Sequence, residues 1–342
     1  MRNVLLVFIF LFLSQTGLKA QQDPYFSTYL VNPSLINSSL SSVYENNNAT
    51  LVYRNQWSNY NPTNLSSASE SPTTGMFSLN LKSRDKAYSF GMNIISDNLG
   101  PKEVFNISPY FGIKKKVNNS YISFSISPSF KSTTLNFGSL VFVNPDDPFN
   151  IKRSETQSKP DVGLGFSYFN EKFLVSLSVK NLTESSFDFG IDDLKNIEFR
   201  NFSFLGKYLI EVDRDLTIEP YLLVRSDFTS HTFDVSALAT YQKKMNIGAS
   251  YRYDEAIVGF LGYHFLKKNK LFVGYSFDYV VHNVNAKAPV SHELVIRYDL
   301  PTPQLKKPIR TPRFIYWFFN FSITWSNLAL KDTFTIFVQL SN

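Results

Sequence analysis

Residues 245–300 read MNIGASYRYDEAIVGFLGYHFLKKNKLFVGYSFDYVVHNVNAKAPVSHELVIRYDL, and apolar side chains alternate with small or polar ones through most of this stretch. From Leu271 to Val281 every second residue is apolar or aromatic, whereas the residues between them are mixed and smaller. A two-residue period is typical of a β-strand, because successive side chains of a strand point to opposite faces. The strands follow one another across short polar breaks without an intervening helix, so the pattern predicts antiparallel neighbours.

The composition indicates that these strands lie in a membrane. The chain has 342 residues, of which 16% are aromatic and only 18% are charged, against about 25% charged in a typical soluble domain. Its longest apolar run, Val4–Leu13, is too short for a spanning helix, which needs about 20 residues. We therefore predict an all-β fold, a transmembrane antiparallel up-and-down β-barrel of about 14 strands, in which every backbone group can pair with a neighbouring strand.

Changes in the sequence divide the chain into four parts. Residues 1–20 begin with a basic residue and continue with an apolar core, which predicts a secretory signal peptide. Residues 21–48 contain prolines and many Ser and Asn, so we expect an irregular or short-helical lead-in on the periplasmic side. Residues 49–300 form the predicted outer-membrane barrel, with a long polar surface loop at 144–160. Residues 301–342 form a C-terminal extension that is first Pro-rich and basic and then apolar.

The net charge does not indicate a nucleic-acid partner. The chain carries +6, but the first 20 residues contribute +2 and residues 301–342 contribute +4, so residues 21–300 are neutral. A nucleic-acid-binding domain would carry a basic patch. The chain also has no cysteine, which excludes disulfides, thiolate metal ligands and a cysteine nucleophile.

No residue pattern indicates catalysis, a metal or a cofactor. The four histidines are scattered over separate predicted strands, whereas a metal site needs clustered ligands, and serine catalysis needs a Ser–His pair that a third group orients. We therefore predict that the protein is not an enzyme and that it binds no cofactor. The histidines are His231, His264, His282 and His292.

Ionisable residues lie on several otherwise apolar strands. An Arg or Lys that faced lipid at mid-depth would cost roughly 2–4 kcal/mol, so we expect these side chains to point into the lumen or to lie at the rim. One interpretation is an ion-paired cluster that closes the lumen, in which Arg54 and Arg252 pair with lumen acids. The other is a docking surface for a partner or a cargo tail. The candidate residues for lumen or partner contact are Arg54, Trp57, Arg252, Asp278, Glu293, Arg297 and Asp299. Trp57 is most simply an interfacial residue.

Several short motifs occur in the order and spacing of a known family. They are Gln22-Asp23-Pro24-Tyr25-Phe26-Ser27-Thr28-Tyr29 with Asn32-Pro33, Tyr53-Arg54-Asn55-Gln56-Trp57, Asp97–Gly100, Asn144-Pro145-Asp146-Asp147-Pro148, Tyr251-Arg252-Tyr253, Gly274–Asp278 and Ser291–Leu294. Together they resemble the PorP/SprF family of type IX secretion system membrane proteins from Bacteroidota. The resemblance spans about residues 22–314, so residues 315–342 look like an addition.

The resemblance implies an outer-membrane barrel in contact with lipid that works with the type IX secretion machinery. Its implied role is to help secreted cargo with a C-terminal targeting domain, such as adhesins, to reach or stay on the cell surface, often in gliding motility. It leaves open whether the partner is the translocon itself or a periplasmic peptidoglycan-associated protein. The alternatives are a passive, porin-like diffusion channel and a soluble periplasmic β protein.

Overall fold

The computed structural model describes residues 24–58, 60, 71–83, 85–139, 153–189, 195–228, 230–282 and 287–301. Within these ranges, fourteen antiparallel strands each pair with the next, and the first pairs with the last, which closes a barrel. The predicted fold class and strand number are confirmed. The predicted signal peptide and residues 302–342 of the predicted C-terminal extension lie outside the described residues.

The strands are numbered β1–β17 in chain order. They are β1 (Asn48–Asn55), β2 (Thr73–Lys82), β3 (Tyr88–Leu99), β4 (Lys102–Val117), β5 (Ser120–Asn136), β6 (Ser154–Phe169), β7 (Phe173–Lys180), β8 (Ser186–Asp188), β9 (Lys195–Ile197), β10 (Asn201–Tyr208), β11 (Ile210–Glu211), β12 (Leu216–Ser226), β13 (His231–Tyr241), β14 (Met245–Arg252), β15 (Ala256–Phe265), β16 (Leu271–Val280) and β17 (Val290–Asp299). The short strands β8 and β9 form a separate hairpin, and β11 continues β10, so the two count as one barrel strand.

Helical structure in the described residues is limited to short 3-10 turns. They are Ser27–Leu30, Pro33–Leu35, Ser38–Val43, Phe137–Ser139 and Lys267–Asn269. No helix in this part of the chain is long and apolar enough to cross a membrane.

Side chains alternate between the outside and the lumen along the strands. In β1, Leu51 and Tyr53 are 55% and 54% exposed, whereas Val52 and Arg54 between them are 3% and 2% exposed. Large apolar and aromatic residues cover the outer surface, and serines, threonines, asparagines and ionisable residues are prominent among the buried inward positions. The arrangement is the one that lipid outside and polar contents inside require.

The two ends of the barrel differ in their connections. The end at which β1 begins has tight turns such as 118–119 and 170–172, and we call it the turn end. The opposite end, which we call the loop end, has the longest connections, including 56–72 and 181–200. Short periplasmic turns and longer extracellular loops are typical of outer-membrane barrels.

The wall of the barrel is uneven in height. β4, β5 and β6 have 16, 17 and 16 residues, whereas β1, β7, β10 and β14 have 8 each. The prediction of a loop over 144–160 is therefore wrong from Ser154 onward, because 154–160 belongs to β6 and pairs with β5. This segment is polar on both faces and lacks the apolar alternation of a lipid-facing strand. Backbone pairing with a neighbouring strand does not require that alternation.

The predicted position of residues 21–48 also needs correction. Its described part begins at Pro24, and residues 24–43 lie inside the barrel, where Tyr29 and Leu40 are fully buried. The short helices expected there are present as three 3-10 turns. The physical reason for the position is that small polar side chains and backbone groups of this segment find hydrogen-bond partners on the polar inner face of the strands.

Candidate functional site: the occupied lumen

Residues 24–43, which we call the plug, contact inward-facing residues of strands on several sides of the barrel. The Tyr29 hydroxyl lies 2.6 Å from Ser236 Oγ on β13, and the Tyr221 hydroxyl on β12 donates a hydrogen bond to the Leu30 carbonyl at 3.1 Å. The Ser38 hydroxyl lies 2.9 Å from Ser125 Oγ on β5. The plug is therefore held by specific polar contacts in addition to apolar packing.

One anchor of the plug is a buried carboxylate. Glu293 on β17 accepts hydrogen bonds from the backbone N–H groups of Ser27 and Thr28, at 2.9 and 3.0 Å, and from the Thr28 hydroxyl. These N–H groups open the first 3-10 turn and have no acceptor within it. Arg54 Nη1 lies 3.0 Å from the same carboxylate. Glu293 thus joins the plug to both the first and the last barrel strand.

With this anchor included, the structure gathers three buried cations and three buried acids. Arg54 Nη1 lies 2.8 Å from Asp278, and Arg252 Nη1 lies 3.8 Å from the same carboxylate. Asp234 accepts from Arg252 Nε at 3.2 Å and from Arg225 Nη2 at 3.1 Å. All of these side chains are buried, and buried charges are stable only when they are paired and hydrogen-bonded. Together with Glu293 they form what we call the ion cluster.

Besides Thr28, two further side chains of the plug contact the ion cluster. The Ser27 hydroxyl donates to Asp278 at 2.8 Å and accepts from Arg252 Nη2 at 3.2 Å. The ring of Tyr25 lies 3.8 Å from the Arg225 guanidinium, in cation–π geometry. The cluster is therefore completed by residues that precede the barrel in the sequence.

The other anchor of the plug is uncharged. The Asn37 amide nitrogen donates to the carbonyls of Phe166 on β6 and Leu177 on β7, at 3.0 and 2.8 Å, and lies 2.6 Å from Ser176 Oγ. Gly165 makes room for it, because a Cβ on Gly165 would lie 1.9 Å from Asn37 Oδ1. In the order of strands around the barrel, the β6–β7 seam lies seven strands from the β16–β17 seam. In a fourteen-stranded barrel the two anchors are therefore on opposite walls.

The connection between β7 and β10 folds over the lumen at the loop end. Glu198 from this connection is 2.7 Å from Lys131 Nζ, which points inward from β5. Asp188 of the β8–β9 hairpin donates its backbone N–H to the Gln157 side chain on β6 at 3.1 Å. Between this connection and the plug a cavity of about 120 Å³ is lined by polar residues that include Asp97, Lys131 and Glu198.

The structure separates the seven candidates into three groups. Arg54, Arg252, Asp278 and Glu293 come together in the ion cluster. Arg297 and Asp299 lie nearer the turn end, where Arg297 Nη1 donates to the Val31 carbonyl of the plug at 2.9 Å and Asp299 accepts from Asn46 at 3.0 Å. Trp57 follows β1 at the loop end, where its ring packs on Tyr60 and beside Lys287.

Sequence reasoning missed several residues of this site, among them Arg225, Asp234, Asn37 and Gly165. Arg225 and Asp234 occupy inward positions of alternating strands, and that alternation could have found them. Asp234 is also the direct cross-strand neighbour of Arg252. The sequence evidence for Asn37 was weak, because apolar and polar residues do not alternate regularly in its segment. Among the described residues, no group of three His, Cys, Asp or Glu is arranged to hold a metal ion.

The fold and the site define a class of protein: a closed outer-membrane-type β-barrel whose lumen is occupied by its own chain. The solved structure of the Ralstonia pickettii toluene transporter TbuX has the same type of fold, with a TM-score of 0.50 and 8% sequence identity over 84% of this chain and 97% of that one. The Acinetobacter baumannii outer membrane protein Omp33 gives a TM-score of 0.45 with 10% identity, over 75% of this chain and 99% of that one. Comparison with curated proteins gave no match.

The family follows from the sequence. The model of the type IX secretion system membrane protein PorP/SprF family matches residues 18–298, and the chain belongs to this family. The predicted family is therefore confirmed. The family is one of type IX secretion system membrane proteins, and the fold is that of outer-membrane β-barrels.

Proposed function

We propose that this protein is a non-enzymatic accessory of type IX secretion in the outer membrane, exported by the signal peptide of residues 1–20, that assists the secretion or surface anchoring of cargo proteins such as adhesins. Family membership supports the secretion system, and the apolar outer surface of the barrel suits contact with outer-membrane lipid. The cargo carries a C-terminal targeting domain, and gliding motility is the expected context.

The observation that carries the accessory role is the occupied lumen. The plug is anchored on opposite walls, at Glu293 and at Asn37, and the connection between β7 and β10 lies above it. A barrel with these contents suits a docking scaffold, whereas a passive diffusion channel needs a continuous water-filled lumen. At the loop end of the tall wall, the polar segment 154–160 of β6, which pairs with β5, offers a docking surface outside the lipid.

Deletion followed by complementation tests the role in the cell. We expect the deletion strain to lose particular cargo proteins from its surface and to release them into the medium, as measured by proteomics of both fractions, and we expect the intact gene to restore them. A surface proteome identical to that of the parent strain would contradict the proposal.

Conductance separates the accessory from a channel. The purified full-length protein in a planar bilayer is expected to be electrically silent, because the plug fills the lumen. A steady open-pore current from the unmodified protein would instead favour a passive diffusion channel and would remove the argument from the occupied lumen.

A further inference from the structure

A group of lysines lies at the turn end, away from the ion cluster. Lys82 is the last residue of β2, Lys114 lies near the end of β4, and Lys86 is in the turn between β2 and β3. By the alternation of their strands, Lys82 and Lys114 point into the lumen, since Asn80 and Gly112, two positions earlier, are buried inward residues. Lys82 and Lys114 therefore sit inside the mouth of the barrel and not on its lipid-facing side, and Lys86 lies in the exposed turn next to them.

The two inward ammonium groups share one acceptor. Lys82 Nζ and Lys114 Nζ donate to the same carbonyl oxygen, that of Ser42 at the end of the plug, at 3.4 and 3.3 Å. Lys114 Nζ also lies 5.2 Å from the centre of the Tyr121 ring. Both lysines are half-buried, so solvent screens their mutual repulsion less than it would at a fully exposed site.

Within the described residues, this lysine group has no carboxylate in ion-pair contact. No carboxylate of the described residues forms an ion pair with Lys82, Lys86 or Lys114, whereas the inward-facing Lys131 and Lys207 are paired with Glu198 and Glu219. A single carbonyl carries only a partial charge, so it compensates two neighbouring ammonium groups incompletely. Lysines act as point charges toward phosphate and similar oxyanions.

From this geometry we infer that Lys82, Lys86 and Lys114 form a binding site for a soluble phosphate-class oxyanion at the turn-end mouth of the lumen. The bound anion would lie between the strands β2–β4 and the end of the plug, and it would join the plug to the wall at a third point. The inference does not depend on the secretion role. Its ligand enters from the aqueous side, because the two side chains point into the lumen.

The test compares two double variants of the full-length protein in detergent. Chloride is replaced by inorganic phosphate at constant ionic strength, and the Tm is followed by intrinsic fluorescence. We expect phosphate to raise the Tm of the unmodified protein by about 2–4 °C and to have no effect on Lys82→Gln/Lys114→Gln. The matched control is Lys243→Gln/Lys244→Gln, which removes the same charge from the exposed turn after β13 and should keep the full shift.

A second measurement separates an anion site from a merely structural role. In chloride alone, Lys82→Gln/Lys114→Gln should be at least as stable as the unmodified protein, because it removes like-charge repulsion, and Lys82→Arg/Lys114→Arg should keep the phosphate shift. Equal phosphate shifts in both glutamine variants, or none in the unmodified protein, would overturn the inference. So would a shift produced only by phosphatidylglycerol in nanodiscs, since the source would then be a lipid headgroup.

Discussion

The two anchors of the plug hold it by different chemistry. On the side of β1, β16 and β17, Glu293 binds the first turn of the plug through its charge and is itself paired with Arg54. On the side of β6 and β7, Asn37 binds through an uncharged amide, and the fit depends on the missing side chain of Gly165. The charged anchor depends on keeping every buried charge paired, whereas the neutral anchor depends on shape. Loss of a charged partner should therefore weaken the first anchor, and a change in side-chain size should weaken the second.

The largest expected effect is loss of the charged anchor. Glu293→Ala removes one of the two carboxylate partners of Arg54 and leaves two backbone N–H groups without an acceptor. We therefore expect the free energy of unfolding to fall by about 3–5 kcal/mol. Urea unfolding in detergent micelles measures this change in unfolding free energy. Glu171→Ala, in the exposed turn between β6 and β7, is the matched control and should change stability by less than about 0.5 kcal/mol. Equal effects of the two substitutions would show that the plug is not anchored at Glu293.

Adding one methyl group at Gly165 tests whether the neutral anchor depends on close packing. Gly165→Ala places a Cβ against Asn37 and should cost about 1–3 kcal/mol in unfolding free energy. Gly259→Ala is the control, because a Cβ there would meet no atom within 4 Å. In an Asn37→Ala background the cost of Gly165→Ala should shrink, which a double-mutant cycle measures. Additive costs would mean that the two residues do not interact.

The smallest effect belongs to a hydrogen bond beside the neutral anchor. Ser38→Ala removes the contact with Ser125 and should lower the unfolding free energy by about 0.5–1.5 kcal/mol. Ser132→Ala removes a similar 3.0 Å contact with Ser158 on the tall wall, but this contact is exposed and water can replace it. If Ser132→Ala cost as much as Ser38→Ala, burial in the lumen would not be what gives the plug contact its strength.

The barrel could be predicted from the sequence because the alternation of apolar and polar residues is visible within each strand separately. In β5, Phe124 and Ile126 face outward while Ser123 and Ser125 are buried, as the alternation predicts. Lipid outside and polar groups inside impose this pattern on each spanning strand separately. The number of strands then follows by counting.

The plug could not be predicted in the same way, because its position depends on partners far away in the sequence. Glu293 and the turn that it holds are more than 260 residues apart. Gly165 is a strand glycine of the kind that can mark a close backbone approach. Gly75 and Gly259 are also strand glycines, and a Cβ on either would meet nothing within 4 Å. A glycine within a strand was therefore visible in the sequence at position 165, but strand glycines alone do not identify the site of plug contact.

The place where the sheet closes has a consequence for biogenesis. A barrel made from one chain is completed when its first and last strands meet, and here Arg54 of β1 is the cross-strand neighbour of Glu293 of β17. The carboxylate at this seam also binds the segment that precedes β1. Pairing of β1 with β17 and binding of the plug therefore both depend on the Glu293 side chain. A nascent barrel that closed before the plug was bound would leave the buried Glu293 carboxylate without part of its hydrogen bonds.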